Sequence, residues 1–224
     1  DMFWRIVWFG DKEAKNVADS DGGNITKDID ISLFTMADGF FKRLFGIIAD
    51  NPGQKTAIAA NAQTTTALQM SKIREKGVAM GIVDNLLADA DGRIFDKPDA
   101  CIMMTNSLFK ALVADVRNTF IGTTLTYEQL AEGVVISQYD GRKIIALDIW
   151  DRMIKRFENN GTKLNNPHRA VLCSPSNLFY GTDDTDMIAD LSITFNEETR
   201  YNNIFAQSKI GTLIGEDDLV QVAI

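Results

Sequence analysis

Apolar and polar positions fall into short, separable patterns along this chain. From Phe3 to Phe9, Phe3, Arg5, Val7 and Phe9 lie on one side and Trp4, Ile6 and Trp8 on the other, which predicts a strand packed on both faces. Gly10-Asp11 ends it, and the polar, Gly-rich stretch from Asp19 to Asp30 reads as a loop. A helix follows, with Thr35 as its N-cap and Phe40, Phe41, Leu44, Phe45, Ile47 and Ile48 as its apolar stripe. Asn51-Pro52-Gly53 stops it.

Partial helical periodicity predicts further helices over Thr64 to Glu75 and Val78 to Ala88, separated at Lys76-Gly77. Pro98 introduces a buried strand, Ala100 to Met104, and Thr105 or Asn106 caps a helix from Ser107 to about Arg117. Thr126-Tyr127-Glu128-Gln129 has the form of a capping box, with Gly133 as the stop of a short helix. Val134 to Gln138 and Lys143 to Leu147 flank Asp140-Gly141, a hairpin signal. Asp148 then caps a helix with Ile149, Trp150, Met153, Ile154 and Phe157 as its stripe, ended by Asn159-Asn160-Gly161. Strand-like runs close the chain at Ala170 to Cys173, Leu191 to Phe195, Tyr201 to Ala206 and Ile210 to Ile214, with Leu219 to Ile224 as a final edge. Strands and helices are mixed without strict β-α-β alternation, so the fold class is α+β.

At 224 residues, 45% apolar and 24% charged, the chain has the composition of one sizeable globular domain or two small lobes. No apolar run approaches the ~20 residues that span a bilayer. A net charge of −8 opposes sequence-independent grip on nucleic acid, which needs clustered Lys and Arg, but does not oppose enclosing it. Cys101 and Cys173, in apolar surroundings, read as buried thiols of a reducing compartment.

Several residues invite a catalytic or metal reading. Asp19-Ser20-Asp21-Gly22 and Asp89-Ala90-Asp91-Gly92-Arg93-Ile94 mimic calcium loops, but place Val17 and Leu87 at the first ligand position. The second stretch has Pro98 where the bidentate Glu belongs. Asp183, Asp184 and Asp186 could hold Mg²⁺ beside a phosphate, without a phosphate-cradling loop or nearby base. His168, the single histidine, lies between Pro167 and Arg169 with no nucleophile elbow, and reads as a structural or interface residue. One His and two separated Cys leave no usual zinc set. Gly211 and Gly215 lack the third glycine of a dinucleotide loop. Two minority readings follow: a metal-dependent hydrolase using Asp183, Asp184 and Asp186 with Asp89 or Asp91, and a calcium-stabilised interaction module.

The run Tyr139-Asp140-Gly141, Lys143-Ile144-Ile145 and Asp148-Ile149-Trp150-Asp151 continues with Phe157 and Asn159-Asn160-Gly161-Thr162-Lys163. Pro167-His168-Arg169-Ala170-Val171-Leu172, Asn177-Leu178 and Gly181-Thr182-Asp183 follow. With Trp4-Arg5-Ile6-Val7-Trp8-Phe9, Asp11 and Asp38-Gly39-Phe40-Phe41, this pattern resembles the major capsid proteins of tailed bacteriophages, particularly those of Bacteroidales gut phages. The resemblance covers most of the chain and rests on a diffuse pattern.

That resemblance implies the Hong Kong 97-type capsid fold, with an axial and a peripheral domain. Residues 1–50 would supply a peripheral strand and helix, 51–165 most of the axial domain, and 166–224 strands shared by both. It further implies a non-enzymatic subunit without cofactor that self-assembles into pentamers and hexamers of an icosahedral head around double-stranded DNA. The DNA is bound without sequence specificity, and scaffold, portal and maturation protease are further partners; no membrane is involved. The place of action is the virion, assembled in the bacterial host cytoplasm. The family's long spine helix and extended hairpin loop are not located in this sequence, and a start at Asp1 without Met agrees with a missing amino-terminal part.

Overall fold

Strand β4 (Cys101–Thr105) is buried at every residue and forms the axis of a mixed sheet. It runs parallel to β7 (Arg142–Leu147) and antiparallel to the fully buried β8 (Ala170–Cys173). Beyond β8 lie β13 (Val220–Ala223) and the short β3 (Lys55–Thr56), and beyond β7 lie β6 (Val134–Tyr139) and β5 (Tyr127–Ala131). The computed structural model describes residues 2–13, 17–18, 24–25, 35–119, 125–131, 133–182, 190–196, 201–207 and 210–224. Among these, the sheet has seven strands, and the expected mixed α+β class holds.

Alternation along the central strands divides the core into two layers. Ile102 and Met104 join Ile144, Ala146, Ala170 and Leu172 on one face, covered by α4 (Val78–Asp89) and α6 (Asn106–Thr119). Cys101 and Met103 join Val171, Cys173, Val220 and Val222 on the other. That face is covered by α1 (Met2–Phe9), α2 (Phe40–Asp50) and Trp150 of α7 (Asp148–Phe157). Each fully buried large apolar side chain contributes about 1.5–3 kcal/mol. Smaller helices α3 (Thr66–Lys72) and α5 (Gly92–Phe95) sit at the periphery, capped by Thr65 and Asp91 respectively.

The stretch expected as a first strand is helix α1 instead. A run with large apolar residues on both faces, broken only by Arg5, does not choose between periods, and tertiary packing decides. Ile6, Val7 and Trp8 are buried while Trp4 is exposed, and Trp8 packs edge-on against Trp150 with ring centroids 4.7 Å apart. Nor does Thr35 cap the next helix, which starts at Phe40 behind Gly39. The Gly39 amide donates to the Gly10 carbonyl at 2.7 Å, and a Cβ on Gly10 would lie 2.2 Å from the Ala37 oxygen. This close passage of two backbones sets where α2 begins.

The expected capping box at Thr126–Gln129 is also overturned: Tyr127–Ala131 is edge strand β5, paired with β6. A short local signature gives way to ladder hydrogen bonds, and Ser137 Oγ fixes the junction by donating to the Thr126 carbonyl at 2.8 Å. Asp148 is the first residue of α7 rather than its cap, a position held by Leu147. The predicted carboxy-terminal edge strand, β13, lies one place in from the edge, because β3 pairs parallel to it. The hairpin at Asp140-Gly141 agrees with expectation: β6 and β7 pair from Tyr139 and Arg142 outward, with positive φ at both turn residues, 47° and 72°.

After β8 the chain leaves the sheet as a two-stranded ribbon. Strand β9 (Leu178–Thr182) pairs with β12 (Ile210–Ile214), and β10 (Asp190–Asn196), which lies between them in sequence, pairs with β11 (Tyr201–Gln207). Two residue pairs, Val17–Ala18 (β1) and Asn24–Ile25 (β2), make a small separate hairpin.

Candidate interaction surface

His168 and Arg169, at the entry to β8, are both buried and hold the two layers together. The Arg169 guanidinium forms an ion pair with Glu158 and donates to the carbonyls of Asn166 and Asn165, each at 2.9 Å. Its remaining face lies over Phe41, 4.6 Å from the ring centroid, with Phe45 and Phe9 beside it. The residue joins α1, α2 and the end of α7, so its role is structural.

His168 is clamped on every side. Its amide donates to Asn61 Oδ1 and its carbonyl accepts from Asn61 Nδ2. Nε2 lies 3.3 Å from the Gln69 carbonyl and Nδ1 3.1 Å from Ser107 Oγ. A carbonyl only accepts, so the proton belongs on Nε2 and Nδ1 accepts from Ser107. Burial, above all, pushes the imidazole down to about 4, leaving it neutral near pH 7.

This serine–histidine contact has the connectivity of an activated nucleophile, but its surroundings oppose that chemistry. The amides that would stabilise an oxyanion beside Ser107, those of Asn106 and Ser107, already donate to the Asp151 carboxylate at 2.6 and 3.0 Å. Ser107 Oγ also contacts Thr105 Oγ1 at 3.3 Å. Burial raises the Asp151 pKa, opposed by the hydrogen bonds from Ser107 and Asn106. Sequence reasoning missed Ser107 and Asp151, which lie 44 positions apart and form no local motif.

The other sequence candidates separate. Asp19–Gly22 and the trio Asp183, Asp184 and Asp186 fall outside the described residues. Asp89 accepts from Thr56 Oγ1 at 2.9 Å, while Asp91 caps α5 and forms an ion pair with Arg93 at 2.8 Å. Both carboxylates of the second calcium-like loop are thus engaged within the chain. Among the described residues no group of three His, Cys, Asp or Glu is placed to share a metal ion. Gly211 and Gly215 belong to β12 and the turn after it, with Gly215 held against Phe179 and Asn177. Cys101 and Cys173 are register partners across β4 and β8, both free thiols; burial pushes Cys101 up to about 11 and Cys173 further. No helix among the described residues is long and apolar enough to cross a membrane.

What the structure does leave open is apolar surface on the ribbon and on the sheet edge. Ile193 and Phe195 of β10 are 63% and 60% exposed, and the cross-strand pair Phe179 and Leu213 is more than half exposed. Tyr127 and Leu130 project from edge strand β5, which has no further strand beside it among the described residues. Single exposed apolar residues are ordinary, but several on the strand pairs outside the sheet, and others on an open sheet edge, mark contact surfaces.

No family model and no curated protein matches the sequence. Over 99% of its length, however, the chain superposes on a chain of the satellite phage P4 procapsid including its size determination (Sid) protein, with a TM-score of 0.53 and 10% identity. The chain spans 61% of that chain's length. At this identity the likeness is one of fold, and the fold of this protein is phage capsid-like.

Proposed function

We propose that this chain is a structural subunit of a bacteriophage head, and that it acts by self-assembly. The observation that carries the reading is the fold likeness to a procapsid chain along nearly the whole length of this one. The sequence resemblance to tailed-phage major capsid proteins supports the Hong Kong 97-type assignment and the Bacteroidales gut-phage group. On that reading, 1–50 contribute to a peripheral domain, 51–165 mainly to an axial domain, and 166–224 to both. Subunits close into pentamers and hexamers of an icosahedral shell around double-stranded DNA, with scaffold, portal and maturation protease as further partners. Assembly takes place in the host cytoplasm, and the product is the virion.

The exposed ribbon suits this role. A shell subunit needs surfaces whose many weak contacts are closed by symmetry, rather than one deep site. The engagement of Asp151 with the amides at Ser107 opposes a serine nucleophile at that position. The test is to follow the full-length protein by light scattering and electron microscopy while concentration, salt and crowding are raised. Rings or closed shells are expected; a strictly monomeric species under all conditions overturns the proposal.

A further inference from the structure

Adjacent parallel strands β4 and β7 send their helices to opposite faces of the sheet. Leu108 and Leu112 of α6 pack with Ile102 and Met104, whereas Trp150 of α7 packs with Cys101 and Met103. The chain therefore splits at the carboxyl ends of these strands, and such a split leaves a crevice where sheets of this kind receive ligands. Here it measures about 350 Å³, is floored by Ile73 and Ala111, and is bordered by Met70 at the end of α3. Arg74 in the turn after α3, Lys110 of α6 and Lys155 of α7 line it. All three are exposed, and none forms an ion pair with a described residue. The acidic groups in the same crevice are committed elsewhere: Asp151 to the α6 amides, Asp148 to Arg152 and Asn106. A cleft with an apolar floor and three uncommitted cations calls for an acidic, partly apolar occupant.

The chain itself contains such a segment. Residues 183–198 carry Asp183, Asp184, Asp186, Asp190, Glu197 and Glu198 without a single Lys or Arg, and so hold most of the chain's net charge of −8. Within them, Ile193 and Phe195 are exposed. We infer that the α3/α6/α7 crevice is the docking site for residues 183–198 of a second copy of this chain. Attraction between the acidic segment and the three cations sets orientation and speeds encounter, and Ile193 or Phe195 supplies the apolar contact. The inference deepens the shell-subunit reading and rests on it for the identity of the partner.

Carbodiimide cross-linking of a mixture of isotopically light and heavy copies, read by mass spectrometry, tests it. Expected are heavy–light links joining Lys110 or Lys155 to carboxylates within 183–198. Arg74→Glu leaves both amines in place, so a loss of those links in it, with retention in Arg74→Lys, assigns the effect to charge at the crevice. High salt should weaken the links in parallel. Absence of heavy–light links at these lysines, or an equal yield in Arg74→Glu, overturns the inference. Shells that close without these links would sink the docking site and leave the shell reading intact. Links formed in pairs that never close into rings or shells would do the reverse. Links from the lysines to other carboxylates alone would place another occupant in the crevice and count against this one.

Discussion

Asp151, on α7, caps α6 by accepting the amides of Asn106 and Ser107, and so does from another element what a local N-cap usually does. Asp115, on α6, repeats the device by accepting the amides of Gly77, Ala79 and Met80 at the start of α4. Removing either carboxylate strands buried donors. Asp151→Leu is expected to cost about 2–3 kcal/mol, and Asp151→Asn, which keeps one acceptor, about 1 kcal/mol. Urea unfolding of both variants at neutral pH checks the order. Because burial raises the Asp151 pKa, the native state holds its proton more tightly than the unfolded chain. Its contribution is therefore fully present below the ordinary value of 3.8 and is lost as pH rises through the raised one. Asp151→Asn should remove that portion of the pH profile, and an unchanged profile would discard this account of the carboxylate.

His168 gives the opposite sign. Its folded-state pKa is depressed from 6.5 to about 4, so its stabilising share is complete above 6.5 and drains away as pH falls towards 4. A shift of this size corresponds to about 3 kcal/mol between neutral and acid conditions. Stability measured by chemical denaturation should fall through that window in the natural chain. In His168→Gln it should start lower, since the Ser107 and Gln69 contacts are disturbed, but slope less. Equal slopes would mean that His168 is not the group being titrated.

Glycine substitutions should separate two backbone roles. At Gly141, φ of +72° belongs to the hairpin turn, and Gly141→Ala should destabilise by about 1 kcal/mol although nothing crowds the new methyl. Gly46 lies inside α2 with open space around its Cβ, so Gly46→Ala should stabilise by about 0.5–1 kcal/mol. Thermal melts of the pair decide the matter, and shifts of the same sign would contradict the assigned conformations.

The contrast between these positions explains what could be read in advance. Asp140-Gly141 is legible because a two-residue turn carries its whole instruction locally. The α6 stripe of Leu108, Ala111, Leu112 and Val116 is legible for the same reason, since its period is set by residues a few places apart. Phe3 to Phe9 misled because its period is erased by apolar residues on both sides, and only contact with Phe40, Phe41 and Trp150 resolves it. The Asp115 and Asp151 caps were invisible because each carboxylate lies tens of positions from the amides that it receives. The crevice between α6 and α7 was invisible too. It exists only because β4 and β7 became neighbours and sent their helices to opposite faces. The strand-like runs of the ribbon were legible from Leu191 to Ile214, but not the exposure of their apolar side chains, since hydrophobic residues in a strand imply burial until the fold places them outside.

That exposure leads to the prediction on which the contact surface depends. If Ile193 and Phe195 were poorly packed core, replacing them with Lys would change stability. If they are contact residues, it would change association instead. At 63% and 60% exposure neither side chain has much burial to lose in the single chain, so Ile193→Lys/Phe195→Lys should unfold within about 0.5 kcal/mol of the natural protein. Association should weaken sharply, because apolar anchors carry most of an interface's energy and a buried, unpaired ammonium opposes it. Substitution of the exposed Lys97, outside the ribbon strands, by Glu serves as a control for a change of net charge alone. Sedimentation velocity over a concentration series reads both properties when paired with denaturation. Undiminished association in the double variant would remove Ile193 and Phe195 from the contact surface, and with them the apolar contact assigned to the crevice.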